Sequence, residues 1–286
     1  MCGIVGFTNF NLRTNTNESI NILNNMSIKL KRRGPDENNI YYNKNIFLGH
    51  RRLVVIDKEN GKQPMKIRYN GNNYVITYNG QIYNTEELKE TLLKNDFKFI
   101  GHCDTEILLK AFIYYGYDVV KHLNGIYAFA IWDENKQELF LARDHFGVKP
   151  LFYSIRNNEL IFASEIKALL EYPSICPKID EIGISELFGI GPAHTSGYTI
   201  FKDIYELKPA SFMIYNKNNC FIKKYWNLKS KEHKDNFEET MDKTKFLLED
   251  SIKRQLVSDV NLCTFLSRWT RFKYNKSVCR KLYERK

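Results

Sequence analysis

The chain opens with MCGIVGF (residues 1–7), a cysteine followed by an apolar run. The pattern predicts a first β-strand over residues 3–10. Cys2 is small enough to allow removal of the initiator methionine, which would leave it as the N-terminal residue. Its thiol would then be a nucleophile, and its own α-amino group, with a pKa of about 7.7–8.0, would be the base. The alternative role for Cys2 is that of a small apolar residue at the start of a strand.

Outward from this strand, apolar runs and amphipathic segments follow one another along most of the chain. Helical spacing of apolar residues predicts helices over 17–30, 85–95 and 105–116. The strand-like runs are NIFLGH (45–50), RLVVID (52–57), YVITYNG (74–80), YAFAIWD (127–133), ELFLARD (138–144), PLFYS (150–154) and LIFAS (160–164). Many strands with few helices between them favour an α+β fold with two packed antiparallel sheets.

The pattern changes after the last β-rich segment, which covers residues 204–226. Residues 227–236 are polar and are predicted to be a linker. An amphipathic helix is predicted over 237–256, and a buried strand over 262–267. This order indicates the first helix and strand of an incomplete α/β domain.

The charge of the chain is concentrated at its C-terminal end. The formal net charge is +10, and residues 268–286 alone carry eight Lys or Arg and one Glu. The body before them is therefore close to neutral, which argues against nucleic-acid binding by that body. No segment has the composition of a secretion signal or the apolar length of a membrane span.

The six cysteines show neither a CxxC motif nor a pairing pattern. They predict reduced thiols in a cytoplasmic protein without membrane association. His102 stands next to Cys103, but the pair lacks the spacing of a metal site, and no metal is expected.

Seven motifs along residues 1–267 together carry a resemblance. They are MCGIVGF (1–7), RRGPD (32–36), RRLVVID (51–57), YNGQIYN (78–84), CDTE (103–106), ARDHFGVKPLFY (142–153) and ASEIKALL (163–170). The set resembles the class II, N-terminal-nucleophile glutamine amidotransferases, and among them the glutamine-hydrolysing asparagine synthetases.

The resemblance implies an N-terminal-nucleophile sandwich of two antiparallel sheets flanked by helices. It places a type-2 glutamine amidotransferase domain at residues 2–226 and a linker at 227–236. The start of the ATP-binding synthetase domain is then expected at 237–267.

The resemblance also assigns roles in glutamine hydrolysis. Cys2 would attack the side-chain amide, while the Asn79 amide and the Gly80 backbone N–H would bind the oxyanion. Arg52 would pair with the α-carboxylate of glutamine, and Asp104 with its α-ammonium group. The other residues expected to bind glutamine are Leu53 and Val55 through their backbones, and Asn79 and Gln81.

The residues themselves leave alternatives open at four of these positions. Tyr-Asn-Gly between two strand-like runs is also typical of a type I′ hairpin turn. Arg52 and Asp104 would ordinarily be solvated charges. Gln81 departs from the Glu of the family pattern, which predicts weaker glutamine binding. A charge-assisted hydrogen bond contributes roughly 1.5–3 kcal/mol, against about 1 kcal/mol for a neutral one.

In the synthetases, the strand at 262–267 leads into a Gly-rich loop, SGGLDSS, that binds the pyrophosphate of ATP. Here RWTRFK follows Ser267 instead. One set of codons compatible with residues 268–276, read in a shifted frame, spells Gly-Gly-Leu-Asp-Ser-Ser-Ile-Ile. The hypothesis is that residues 268–286 form an out-of-frame, disordered tail, and that Leu266 marks the edge of a lost nucleotide site.

The predicted activity is hydrolysis of glutamine through a thioester on Cys2, without a cofactor. In a full-length synthetase the ammonia would amidate aspartate with ATP and Mg²⁺, a reaction that this chain is expected to lack. A homodimer is left open. The alternatives are a stand-alone glutaminase that supplies ammonia to a partner, a basic nucleic-acid-binding module and an inactive remnant.

Overall fold

The computed structural model describes residues 1–11, 14–191 and 194–263, and it divides into two compact units. The first unit comprises Met1–Val54 and Lys58–Asn227. The second comprises Val55–Asp57 together with the chain from Leu228 on. Both β-sheets lie in the first unit.

The first sheet is antiparallel, and β1 (Gly3–Thr8) lies in its interior. β1 pairs on one side with β3 (Ile46–Arg52) and on the other with β9 (Glu159–Ala163). The sheet is extended outward by β2 (Glu37–Tyr42), β8 (Phe152–Arg156) and β10 (Tyr205–Glu206). All residues of β1 are buried, because neighbouring strands and both faces cover it.

The second sheet is also antiparallel, and its longest strand is β5 (Asn72–Ile82). β5 pairs with β4 (Met65–Tyr69) on one side and with β6 (Gly125–Asp133) on the other. Beyond β6 the sheet continues through β7 (Glu138–Arg143), β11 (Ser211–Tyr215) and β12 (Cys220–Lys224).

Apolar side chains from the two sheets form one core between them. Ile4 of β1 belongs to the same buried cluster as Val75 of β5 and Trp132 of β6. Because side chains alternate along a strand, Val5 and Phe7 point away from this core and are covered by helices instead. The predicted fold of two antiparallel sheets flanked by helices is confirmed.

Helices cover the outer face of each sheet. The first sheet is covered by α1 (Thr16–Ile28) and α4 (Ile166–Leu169), and the second by α2 (Thr85–Leu93) and α3 (Asp104–Tyr115). The 3₁₀ helix Gly116–Lys121 and α5 (Glu181–Ile190) complete the helices of this unit within the described ranges. No helix in those ranges is long and apolar enough to cross a membrane.

The second unit contains α6 (Phe237–Gln255), which corresponds to the amphipathic helix predicted at 237–256. Asn236 caps α6 by accepting a hydrogen bond from the Glu239 N–H at 2.9 Å, and the Glu239 carboxylate accepts one from the Asn236 N–H at 3.1 Å. Residues 262 and 263 lie in no strand, and the remainder of the strand predicted over 262–267 lies outside the described residues. The out-of-frame tail predicted at 268–286 lies outside them as well.

The strand predicted over RLVVID (52–57) is wrong, because β3 ends at Arg52. The Leu53 N–H contacts the Cys2 thiol, and the Val54 N–H donates to the Asp36 carboxylate at 2.8 Å. These backbone groups are therefore committed to Cys2 and Asp36 rather than to a neighbouring strand. Leu53 keeps the chain next to Cys2 without extending the sheet.

Candidate active site

Cys2 lies immediately before β1 and is half-buried. Its Sγ accepts a hydrogen bond from the Leu53 N–H at 3.4 Å and lies 3.7 Å from the Leu53 carbonyl oxygen. Burial raises the pKa of the Cys2 thiol, and the Leu53 contact lowers it by less. Since the thiolate is the reactive form, a base must take the proton of this thiol before it can attack a carbonyl carbon.

An amine is available near this thiol. The terminal ammonium group in the structure belongs to Met1, and partial burial lowers its pKa. The amine is therefore more often in its neutral, basic form at neutral pH than a solvated amine would be. The charge of this amine lowers the pKa of the Cys2 thiol, and the thiol in turn raises the pKa of the amine.

Residues of the RRGPD (32–36) and ASEIKALL (163–170) motifs stabilise the segment that carries Cys2. Arg33 donates from Nε to the Cys2 carbonyl at 2.9 Å, and its Nη1 pairs with Glu165 at 3.1 Å. Gly34 packs so closely on Arg51 that an added Cβ would lie 2.2 Å from the Arg51 carbonyl oxygen. The motif glycine is therefore required by a close approach of two backbone segments.

Asn79 and Gly80 lie inside β5, opposite Ala128 and Tyr127 of β6. The hairpin-turn alternative is therefore wrong. Asn79 is 1% exposed, and its Nδ2 has no hydrogen-bond partner in the part of the chain that the structure describes. A Cβ on Gly80 would lie 2.4 Å from the Ile126 carbonyl oxygen, so no larger residue fits there without a shift of β6.

Arg52 and Asp104 are both buried, with 4% and 9% exposure, so the alternative of solvated charges is wrong as well. Arg52 Nη1 pairs with Glu37 at 3.2 Å and donates to the Lys58 carbonyl at 3.0 Å. These contacts fix the orientation of a planar guanidinium group, which suits recognition of a carboxylate.

Asp104 begins α3, and its carboxylate accepts hydrogen bonds from the Tyr78 hydroxyl at 2.7 Å and the Ile82 N–H at 3.3 Å. Burial raises the pKa of Asp104, while both hydrogen bonds lower it. The carboxylate therefore lies in a low-dielectric pocket that favours a cationic partner.

Tyr78 is held by residues that no sequence motif marks. The Gln63 side chain accepts from the Tyr78 N–H at 2.7 Å and donates to the Thr105 hydroxyl at 3.1 Å. The His50 Nε2 lies 3.0 Å from the Tyr78 carbonyl oxygen, and burial lowers the pKa of His50 to about 4. The ring is thus neutral near pH 7, with Nε2 as the donor. Gln63 and His50 connect β5 to α3 and to β3.

The structure brings most of the predicted residues to one place. The charges of Asp104 and Arg52 both act on the Cys2 thiol, the first raising its pKa and the second lowering it. Gln81 is partly buried and lies two residues after Asn79 on the same face of β5.

Two predicted residues are not among the described residues of the first unit. Val55 belongs to the second unit, where its carbonyl accepts a hydrogen bond from the Asp259 N–H at 3.0 Å. Leu266, the predicted nucleotide-binding residue, lies outside the described residues. Among those that are described, no three His, Cys, Asp or Glu side chains are grouped so as to hold a metal ion.

Comparison with known proteins shows the family of this chain. The glutamine amidotransferase domain family matches residues 1–226. An asparagine synthetase [glutamine-hydrolyzing] 3 of Bacillus subtilis is 44% identical over 267 residues, covering 93% of this chain and 43% of that protein. A second asparagine synthetase of B. subtilis, number 2, is 33% identical and is matched over 93% of this chain and 37% of its own length. The chain thus spans less than half the length of either relative.

A solved structure with a similar fold is the glutamine phosphoribosylpyrophosphate amidotransferase of B. subtilis. The TM-score is 0.56 at 18% sequence identity, over 79% of this chain and 49% of that one. At this identity the likeness shows the fold alone.

Proposed function

Since the chain belongs to the glutamine amidotransferase domain family, we propose that it hydrolyses the side-chain amide of glutamine at Cys2. The observation that carries the proposal is the convergence of a thiol, a buried arginine and a buried aspartate. Glutamine presents an amide to attack and a zwitterionic head group to hold. Arg52 and Asp104 match the two charges of that head group in sign.

The reaction follows from the chemistry of the thiol. The N-terminal amine, once Cys2 is the first residue, takes the thiol proton, and the sulfur adds to the amide carbon of glutamine. Collapse of the tetrahedral intermediate breaks the C–N bond, and the nitrogen leaves as ammonia with the proton returned by the amine. Water then hydrolyses the γ-glutamyl thioester to glutamate and regenerates the thiol.

Asn79 and Gly80 would stabilise the oxyanion of that intermediate. Asn79 contributes Nδ2, the buried donor without a partner among the described residues, and Gly80 contributes its backbone N–H. Donors that are already in place need no reorganisation when the negative charge develops. The tight packing of Gly80 against β6 supports this role, because it holds the N–H rigidly.

The head group of glutamine would be bound by the remaining predicted residues. Arg52 would pair with the α-carboxylate and Asp104 with the α-ammonium group. Gln81 would add a neutral acceptor, and the backbones of Leu53 and Val55 would complete the pocket.

The fate of the ammonia is a wider proposal that rests on the relatives. We infer that, in a longer protein of this type, it amidates aspartate in a reaction that uses ATP and Mg²⁺. We also propose that the chain forms a homodimer and lies in the cytoplasm, where thiols stay reduced.

The test is release of ammonia and glutamate from L-glutamine by the purified chain. Cys2→Ala is expected to abolish release, because it removes the nucleophile. Cys220→Ala changes an exposed cysteine and is expected to leave release unchanged. Hydrolysis that persists in Cys2→Ala at the parent rate would rule out the proposed nucleophile.

A further inference from the structure

Hydrogen bonds stabilise the buried carboxylate of Asp104. It is 9% exposed, and within residues 1–11, 14–191 and 194–263 no Lys, Arg or His side chain pairs with it. Glu106, a buried carboxylate two residues later in α3, pairs instead with Lys110. The negative charge of Asp104 is therefore available to a cation from outside the described residues.

Tyr78 provides the shorter of the two hydrogen bonds that Asp104 Oδ2 accepts. The bond from the Tyr78 hydroxyl is 2.7 Å long, against 3.3 Å for the bond from the Ile82 N–H. Tyr78 is 2% exposed, and a hydrogen bond to a charged group is strong in such a low-dielectric place. Burial raises the pKa of Asp104, and among the groups that lower this pKa the Tyr78 hydroxyl has the largest effect.

The ring of Tyr78 is held at its backbone and along its edge. The Gln63 side chain accepts from the Tyr78 N–H at 2.7 Å, and His50 Nε2 lies 3.0 Å from the Tyr78 carbonyl oxygen. Along the edge, a Cβ added to Gly80 would lie 2.6 Å from Cε2 of Tyr78. The ring thus occupies space that the glycine leaves open, and it presents its hydroxyl to Asp104 in one orientation.

The same network reaches the start of α3. Gln63 Nε2 donates to the Thr105 hydroxyl at 3.1 Å, and Thr105 follows Asp104 in the chain. Gln63 and Tyr78 therefore bind α3 at two adjacent residues, one through an amide and the other through a phenol hydroxyl. A carboxylate held in this way is preorganised for its ligand, and it loses little freedom when the ligand binds.

We propose that Tyr78 is a positioning residue that determines specificity: its hydroxyl holds Asp104 ready for an ammonium group, so that the site selects substrates with a free α-amino group. The inference rests on the proposed function, in which Asp104 binds the α-ammonium group of glutamine. It assigns the selection to a residue that acts through Asp104. An amide without that amino group gains nothing from Asp104, and its hydrolysis should not depend on the Tyr78 hydroxyl.

The experiment compares kcat/KM for the hydrolysis of L-glutamine and of glutaramic acid, which is glutamine without its α-amino group. The parent is expected to prefer L-glutamine. Tyr78→Phe removes the hydroxyl and keeps the ring, and it is expected to lower this preference by about threefold to thirtyfold, less than the full loss of a hydrogen bond to a charged group. The change should appear in the KM for L-glutamine, with kcat and the rate for glutaramic acid close to those of the parent.

Tyr172→Phe is the matched control, because the buried Tyr172 hydroxyl also donates to a buried carboxylate, that of Glu159, at 2.9 Å. Tyr172 packs against Phe7 in the cluster between the first sheet and its helices. This variant should keep the preference of the parent. A general loss of folded protein would lower the rates for both substrates alike, whereas loss of the Tyr78 hydroxyl should act on L-glutamine alone.

Tyr78→Met provides a second variant without the hydroxyl in case Tyr78→Phe fails to fold, and thermal unfolding identifies the folded samples. Calorimetric titration of both compounds into Cys2→Ala forms of the parent and of Tyr78→Phe measures the same preference without turnover. A parent that hydrolyses L-glutamine, with an unchanged preference in the folded variants, would overturn this inference alone. A parent that neither binds nor hydrolyses L-glutamine would reject the proposed function and the inference together.

Discussion

Asn79 shows at the scale of a single residue how a buried donor can indicate function. Its Nδ2 is enclosed between the sheets and has no partner within the described residues. Leaving such a group unsatisfied costs about 1–3 kcal/mol. That cost is explained if the donor is reserved for an oxyanion, because the hydrogen bond then forms when it lowers the barrier.

Asn79→Ala is expected to lower kcat for glutamine hydrolysis by about 10²–10³, as for other oxyanion donors, with a much smaller change in KM. The free energy of unfolding should change little, because the lost contacts are partly offset by removal of an unsatisfied donor. Steady-state kinetics and urea unfolding measure the two effects.

Asn95→Ala is the control for this change, since that amide is exposed and donates to the Thr91 carbonyl at 2.8 Å. A kcat for Asn79→Ala within threefold of the parent would remove Asn79 from the oxyanion site.

Gln81→Glu is expected to lower the KM for glutamine. A carboxylate would exchange a neutral hydrogen bond to the ammonium group for a charge-assisted one, a gain of roughly 0.5–2 kcal/mol, or about twofold to thirtyfold. Gln81→Leu removes the acceptor at similar size and should raise KM. Equal KM values in the parent and both variants would show that the side chain does not contact the substrate.

At the scale of the element, β5 combines packing and chemistry in one strand. Tyr78 and Ile82 belong to the core between the second sheet and its helices, and both also bond to Asp104. Asn79 and Gln81 alternate with them and point to the other face. The strand thus presents Asn79 and Gln81 on one side, while Tyr78 and Ile82 hold the Asp104 carboxylate in place.

Gly80→Ala is expected to lower the free energy of unfolding by about 1–3 kcal/mol, because the new methyl group would push against the backbone of β6. Gly189→Ala is the matched control. A Cβ on Gly189, which lies in α5, would meet nothing within 4 Å, so alanine should be neutral or stabilising by up to about 1 kcal/mol. Similar urea midpoints for the two variants would contradict the packing argument.

The sequence predicted the elements better than their ends. Alternation and spacing were sufficient for most of the strands and for α1, α2, α3 and α6, since these depend on local patterns, but they missed β2, β4, α4 and α5. They failed at residues 53–57, where β3 has ended and Leu53 contacts Cys2, because a strand and a loop near a site can have the same composition. The sequence pattern also left the role of Asn79 and Gly80 ambiguous, because an Asn-Gly pair suits both a turn and an oxyanion site.

The network around Tyr78 was beyond sequence reasoning for a different reason. Gln63 and His50 are distant from Tyr78 in the chain, and their hydrogen bonds exist only after the sheets have assembled. No spacing rule connects these positions. The charges at Arg52 and Asp104 could be assigned only through the resemblance, since nothing in their neighbours predicts that they are buried.

At the scale of the whole molecule, His50 links stability to pH. Its pKa is about 4 in the folded state and about 6.5 when solvated, so the unfolded chain binds the extra proton between these values. Stability from this group is therefore fully present above about pH 6.5 and is lost as pH falls towards 4, by about 3 kcal/mol in all.

Urea unfolding of the parent and of His50→Gln at several pH values between 7 and 4.5 isolates this contribution. The difference in free energy of unfolding between the parent and His50→Gln should shrink as the pH falls. The parent loses stability because its ring titrates, and the variant has no ring to titrate. His233→Gln, at an exposed position, is the control. Parallel pH dependences in the parent and His50→Gln would show that the ring does not titrate as described.

The tight construction of β5 has a consequence for evolution. A single inserted or deleted residue would exchange its two faces, so changes of length are excluded from this strand. Substitutions at Tyr78, Gly80 and Ile82 disturb packing, and a change at Asn79 removes a donor that no neighbour replaces. Gly80 and Gln81 are the positions of this stretch that are only partly buried and outside the apolar cores, and of the two only Gln81 has no backbone clash to prevent a change of side chain. Divergence in substrate affinity among descendants of this domain is therefore expected to accumulate at position 81, with the rest of the strand unchanged around it.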